Sequence, residues 1–224
     1  MKGGRAFSPD GAATTLLVIA KRPVPGRVKT RLVPPYSFEQ AAVLAEAALA
    51  DTLRAVLAAP ACRRVLVLDG RPGAWVPNGF EIVPQVTGGL DERLAAAFAE
   101  VSGPALLIGM DTPQITPDLL TVGWDGVDAW FGPAADGGFW ALGLREPDPG
   151  LLQGVPMSTL VTGAVQRERL CSAGLRVADL PLLRDVDTAV DAAAVARIAP
   201  RTRFAACVRD LAPAIASPRR RSGP

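Results

Sequence analysis

Three short runs of unbroken apolar character constrain this chain most: Leu16–Ala20 (LLVIA), Val65–Leu68 (VLVL) and Ala105–Ile108 (ALLI). A strand with one wet face alternates polar and apolar residues. A strand apolar throughout is covered on both faces, as in parallel sheets flanked by helices. Helix-like stretches separate the runs, and parallel neighbours need such crossovers. Thr14–Ala20 reads as the first strand. Ser37, with Gln40 three residues on, reads as the capping box of an Ala/Leu-rich helix over Phe38–Leu57. Strand Arg64–Leu68, the Pro/Gly-rich connection Gly70–Gly79, strand Phe80–Gln85, helix Asp91–Val101 and strand Ala105–Ile108 follow. Thr116 reads as the cap of a short helix with Pro117 at its first position. Asp128–Phe131 and Phe139–Leu144 read as strands around the tight segment Asp136-Gly137-Gly138. Ser158 reads as the cap of a helix to about Ala173, stopped by Gly174. Strand Leu175–Leu180, a helix opened by Asp185–Thr188 and a last helix Arg203–Leu211 complete the pattern. The expectation is a single α/β domain over residues 14–212, a three-layer α/β/α sandwich with a mostly parallel, Rossmann-like sheet. Residues 1–13 form an expected flexible leader, and 213–224 an expected disordered basic tail.

Composition narrows the function. The 224 residues carry net charge +2, of which Lys2, Arg5 and Asp10 supply +1 and Arg219–Arg221 supply +3; the body between is therefore −2. A mildly acidic body argues for a small phosphorylated ligand rather than a nucleic acid, which would want a broad basic face. No apolar run approaches the length of a membrane span, and residues 1–13 lack the apolar core of a secretory signal. A soluble, cytoplasmic protein is the default expectation. Cys62, Cys171 and Cys207 are far apart, with no C-x-x-C pair, so they are expected to be buried small apolar residues. The chain has no histidine. That excludes Ser-His-Asp and Cys-His catalysis and His-ligated zinc. It also leaves no side chain with an ordinary pKa between pH 6 and 8, so a flat rate is expected there.

The first apolar run leads into KRPVPGRVKTR, where Lys21, Arg22, Arg27, Lys29 and Arg31 are all basic and no acid occurs from Thr14 to Phe38. Cations on a loop stiffened by Pro23, Pro25 and Gly26, at the carboxyl end of a strand, stand where open α/β sheets bind ligands. A polyanion such as a nucleoside triphosphate suits them. Three further motifs join the loop. In Gly109-Met110-Asp111-Thr112-Pro113, Asp111 directly follows a strand and suits Mg²⁺ or Mn²⁺; it equally suits an Asx turn. In Asp185-Val186-Asp187-Thr188, residues i and i+2 share a direction in extended chain, so two carboxylates can be presented together; helix capping is the other use. In Gly132-Pro133-Ala134-Ala135-Asp136-Gly137-Gly138, paired glycines admit a close ligand and Asp136 suits a hydroxyl or second cation, while Asp-Gly also makes a hairpin turn.

The order of these motifs resembles the DUF2064 family, described as glycosyltransferase-like or nucleotidyltransferase-like. The resemblance rests on Ala20–Leu32, Gln85-Val86-Thr87-Gly88-Gly89-Leu90, Gly109–Pro113, Gly132–Gly138 and Asp185–Thr188, and covers about residues 14–198. It implies the nucleotide-diphospho-sugar transferase (GT-A) fold, shared with molybdenum-cofactor nucleotidyltransferases and 2-phospholactate guanylyltransferases. It further implies that Lys21, Lys29 and Arg31, with Ala20 and Arg27, hold a nucleotide's phosphates. By the same resemblance Gln85, Gly88 and Gly89 face the base, and Asp111 and Asp187, with Asp185 as an alternate, bind Mg²⁺ or Mn²⁺. Asp136, Gly137, Gly138, Ser158 and Thr159 would meet the acceptor. Lys21, Lys29, Arg31 and Asp111 are the expected catalytic set.

A dense first-loop charge suits a triphosphate and its pyrophosphate leaving group. Position 109 is Gly, so Asp111 has no partner Asp two residues before it, as a glycosyltransferase D-x-D would. Both features favour nucleotidyl transfer from an NTP to a small anionic acceptor. Glycosyl transfer from a nucleoside-diphosphate sugar is the second expectation, and a non-catalytic nucleotide-binding protein the third. No nucleic-acid or membrane partner is expected, and a homodimer is compatible with the sequence.

Overall fold

Seven strands form one sheet in the order β3-β2-β1-β4-β6-β5-β7. The structure, a computed structural model, describes residues 13–211; most of the expected leader and the basic tail lie outside them. The strands are β1 (Thr15–Lys21), β2 (Arg63–Asp69), β3 (Glu81–Pro84), β4 (Ala105–Gly109), β5 (Ala129–Pro133), β6 (Phe139–Leu144) and β7 (Val177–Asp179). The helices are α1 (Phe38–Ala58), α2 (Leu90–Ala99), α3 (Pro117–Leu120), α4 (Thr162–Ser172), α5 (Ala189–Ile198) and α6 (Arg203–Leu211). Pairing is parallel throughout except at β6, which runs antiparallel to both β4 and β5. In-register pairs such as Lys21↔Asp69 and Ile19↔Gly109 bring the carboxyl ends of β1, β2 and β4 to one edge. The reversal at β6 is made by the Asp136-Gly137-Gly138 hairpin, so that turn lies at the same edge.

The continuous apolar runs are buried on both faces, as their composition requires. Leu16, Val18 and Ala20 pack with Leu49, Leu53 and Val56 of α1. Leu17, between them in sequence, packs on the other face with Leu94 and Phe98 of α2. A third cluster seats α5 and α6 against the outer side of α1 through Leu44, Ala48, Val195, Phe204 and Val208. Each fully buried leucine contributes about 1.5–3 kcal/mol, so this layering fixes the sheet edge that carries the loops.

Capping follows the sequence at two sites. Ser37 Oγ accepts from Gln40 N and the Gln40 side chain accepts from Ser37 N; Thr188 and Asp191 make the same reciprocal pair at α5. One cap has no local signature. Asp51, on α1 and 2% exposed, accepts from Arg203 N at 3.0 Å and Phe204 N at 2.8 Å, closing the N-terminus of α6. Asp51→Ala leaves both donors without their acceptor, Phe204 N in a buried place and Arg203 N in a partly buried one. It should lower unfolding stability by about 2 kcal/mol, measurable by urea denaturation; an unchanged midpoint would show that water replaces the carboxylate.

Three expectations need correction. Ser158 does not cap a helix: α4 starts at Thr162, and Ser158 has a left-handed backbone with φ 58°. Thr162 Oγ1 donates to Pro156 O and accepts from Thr159 N, so hydroxyl bonding holds a loop where a helical turn was expected. The cysteines are not fully buried, and only Cys207 packs against a core cluster, the third. Cys62 and Cys171 are exposed and Cys207 half-buried, and all three are free. Cys62 lies in the turn before β2, bonded to Ala13 O, and Cys171 lies on the solvent side of α4. Finally, Asp185 and Asp187 follow an isolated bridge between Ala134 and Leu183 and lie in a loop, beyond the end of β7.

Candidate functional site

The site begins where β4 ends. Val186 N donates to Asp111 O at 2.9 Å, and Gln114 Nε2 donates to Arg184 O at 2.7 Å. These bonds lay the Asp185–Asp187 loop beside the loop after β4, although 76 positions of sequence separate Asp111 from Asp187. Thr188 takes the capping role at α5, which frees the Asp187 carboxylate. Asp111 likewise directs its carboxylate to a cation rather than into a local turn. Both acids meet the same partner: Lys29 Nζ lies 2.8 Å from Asp111 Oδ1 and 3.0 Å from Asp187 Oδ1. The Lys29 side chain is 8% exposed, and Arg31, 74% exposed, reaches the other Asp187 oxygen at 3.6 Å. Burial pulls the Lys29 pKa down, but Asp111 and then Asp187 outweigh it, and the ammonium titrates above its ordinary value.

Asp185 completes the acidic side. Burial first, then the charges of Asp111 and Asp136, push its carboxyl up to about 7, with Lys29 opposing and Asp187 adding. Its Oδ1 is buried without a hydrogen-bond partner. Low solvation and like charges thus raise a carboxyl well above its ordinary range in a site without histidine. A cleft of about 80 Å³ lined by Ala135, Asp136, Arg184, Asp185, Asp187 and Asp191 opens beside it.

The remaining expected residues fall into three groups. Lys21, the last residue of β1, and Arg22 and Arg27 on the loop after it are exposed and, among the described residues, form no ion pair, in contrast to Lys29. Ala20 is buried, and its carbonyl accepts from Gln85 Nε2 at 2.8 Å; Val67 O accepts from the same nitrogen at 3.1 Å. Gln85 therefore ties β1 to β2, and its Oε1 accepts from Arg93 Nη1. Arg93, which nothing in the sequence singled out, also bonds Gly88 O and Asp69 Oδ2. Gly88, at φ 121°, turns the chain into α2, where Glu92 accepts from Gly89 N. On the far side, Asp136 Oδ1 accepts from Gly138 N, so the turn use of this residue is realised. Gly163 N donates to Gly137 O at 2.8 Å, docking the Ser158–Thr159 loop onto the paired glycines.

Whether these residues suit a divalent cation follows from the Lys29 contacts. Two carboxylate oxygens converge on one positive centre, so the cation position is built. Among the described residues, no group of three or more His, Cys, Asp or Glu is disposed to ligate a metal as it stands. Two carboxylates, with phosphate oxygens and water for the rest, match the habit of Mg²⁺ in nucleotide sites. The residues fit the ion. The donor set is hard and histidine-free, which disfavours zinc.

A family model described as "Uncharacterized protein conserved in bacteria (DUF2064)" matches residues 43–159, just over half of the chain. No curated protein matches in sequence. Among solved structures, a candidate nucleotide-diphospho-sugar transferase from Desulfovibrio desulfuricans G20 is 26% identical with TM-score 0.80, covering 88% of this chain and 94% of that one. CMP:2-keto-3-deoxy-manno-octonic acid synthetase, solved with CTP, is 12% identical with TM-score 0.52, over 89% of this chain and 100% of that one. The 2-C-methyl-D-erythritol 4-phosphate cytidylyltransferase of Thermus thermophilus is 15% identical with TM-score 0.50, over 84% of this chain and 99% of that one. The fold is that of the nucleotide-diphospho-sugar transferases.

Proposed function

The chain belongs to the DUF2064 family, and on that footing we propose that it is a metal-dependent nucleotidyltransferase, moving an NMP group from an NTP to a small phosphorylated or otherwise anionic acceptor. The observation that carries this is the convergence at one sheet edge of a cation loop, Lys21 to Arg31, with the Asp111 and Asp187 carboxylates. Lys21, Arg22, Arg27 and Arg31 are numerous enough to neutralise a triphosphate and then the departing pyrophosphate. Asp111 and Asp187 would hold Mg²⁺ or Mn²⁺, with Asp185 adjacent, and the bound ion would neutralise charge on the phosphates.

The chain's own contribution is positioning and electrostatics. Basic side chains orient the triphosphate so that the α-phosphorus faces the acceptor side. The base lies toward Gln85, Gly88 and Gly89, where Arg93 and Asp69 add a donor and an acceptor. Asp136, Gly137, Gly138, Ser158 and Thr159 frame the acceptor. An acceptor oxygen attacks the α-phosphorus in line, the new P–O bond forms, and the bond to the bridging oxygen breaks with pyrophosphate taking the electron pair. No covalent enzyme intermediate is required.

The structural likeness to a candidate nucleotide-diphospho-sugar transferase at TM-score 0.80 favours a second reading, glycosyl transfer from a nucleoside-diphosphate sugar. A screen of NTPs with phosphorylated acceptors, and of nucleoside-diphosphate sugars with the same acceptors, separates the two by mass spectrometry. The expected result is pyrophosphate release that requires Mg²⁺ or Mn²⁺ and stops in excess EDTA. Turnover of sugar nucleotides alone would establish the second reading, and full activity in EDTA would remove the metal.

A further inference from the structure

Lys29 is set apart from the rest of its loop. Lys21, Arg22, Arg27 and Arg31 are exposed, whereas Lys29 runs inward between two carboxylates. Its neighbours Val28 and Leu32 are buried, 7% and 0% exposed, so the loop is anchored on both sides of it. The Lys29 backbone is left-handed, with φ 49° and ψ 38°. Residues with a Cβ adopt that conformation at a cost, and it persists only where the surroundings impose it. Here the imposed result is an ammonium placed where Asp111 and Asp187 both reach it. The carboxylate of Asp185 stands within reach of its charge. Without a positive charge at this point the acids would repel one another; with it, a divalent cation has no room at the shared oxygens.

We propose that the Lys29 ammonium is a tethered placeholder for the divalent cation: it occupies the shared Asp111–Asp187 position in the free protein, gives way when the metal arrives, and turns its charge to the nucleotide's phosphates. The inference rests on the functional reading above. Four methylenes let the ammonium swing while Val28 and Leu32 hold the backbone. Metal entry and phosphate binding are thereby coupled: the metal releases a cation that needs an anion, and the phosphates stabilise the state in which the carboxylates are free. Such coupling is reciprocal. The metal is then favoured in company with the nucleotide and resisted without it.

The test uses Mn²⁺ alone, titrated by electron paramagnetic resonance against the wild-type chain and Lys29→Met, which keeps the bulk of the stem and removes the charge. Removing a buried competing charge should tighten Mn²⁺ binding by about tenfold or more, and adding Asp111→Asn to Lys29→Met should abolish the gain. Equal Mn²⁺ affinity in wild type and Lys29→Met would overturn the placeholder role. Metal-dependent pyrophosphate release by the wild type would in that case leave the functional reading standing, whereas its absence would count against that reading separately. A second measurement needs no variant. In wild-type crystals grown with Mn²⁺ and inorganic tripolyphosphate, Lys29 Nζ should have left both aspartates for a phosphate oxygen. An ammonium still bridging Asp111 and Asp187, with Mn²⁺ bound elsewhere, would overturn the proposal.

Discussion

Asp111→Asn should lower kcat/KM for NTP turnover by about 10³-fold or more. The amide keeps the side chain's shape but supplies no negative charge, so the cation position is left with Asp187 alone. Asp187→Asn should do the same for the reciprocal reason. Because both carboxylates meet at one centre, 2.8 and 3.0 Å from a single ammonium, they act as a unit. The double variant should therefore cost little more than either single one. Single-turnover rates across the four proteins of this cycle decide the matter. Strictly additive losses would mean that the two carboxylates have independent roles.

Gly137→Val should destabilise the protein by about 3–4 kcal/mol and remove acceptor binding. Gly137 has φ +89°, a conformation that side chains with a Cβ rarely adopt, and a Cβ there would run into the Leu160 carbonyl. The neighbouring Gly163 is equally confined, against the Gly137 and Gly138 carbonyls. The two loops touch backbone to backbone, and no side-chain rearrangement can make room. Thermal unfolding measures the loss of stability. A variant as stable as wild type would show that the Ser158–Thr159 loop is free to lift from the hairpin.

The layering of the fold was legible because burial on both faces is written in composition: Leu16–Ala20 and Val65–Leu68 admit no polar face. Caps made within four residues, at Ser37 and Thr188, were legible for the same local reason. Asp51 was not, because its donors, Arg203 N and Phe204 N, belong to another helix. Ser158 misled because a hydroxyl before an apolar stretch has the same local appearance whether it caps a helix or sits in a loop. Within the site, Asp111 and Asp187 could be picked out as carboxylates after apolar or extended segments. What Lys29 does could not. Sequence places it among five basic residues of one loop, and only the inward turn at φ 49° separates it from four exposed neighbours. Asp185 shows the same limit: its carboxyl is raised to about 7 by burial and by acids from three other positions, while the sequence marks it as one of a carboxylate pair and carries no sign of that burial.

The fate of the α-phosphate tests the central claim most directly. With an NTP labelled at the α-phosphorus, Mg²⁺ and the acceptor found by screening, the label should appear in a covalent nucleotidyl–acceptor product. Unlabelled pyrophosphate should be released in equal amount, and Asp111→Asn should form neither. Label that never joins the acceptor, together with a sugar nucleotide that the wild-type protein consumes to a free nucleoside diphosphate, would contradict nucleotidyl transfer at this site.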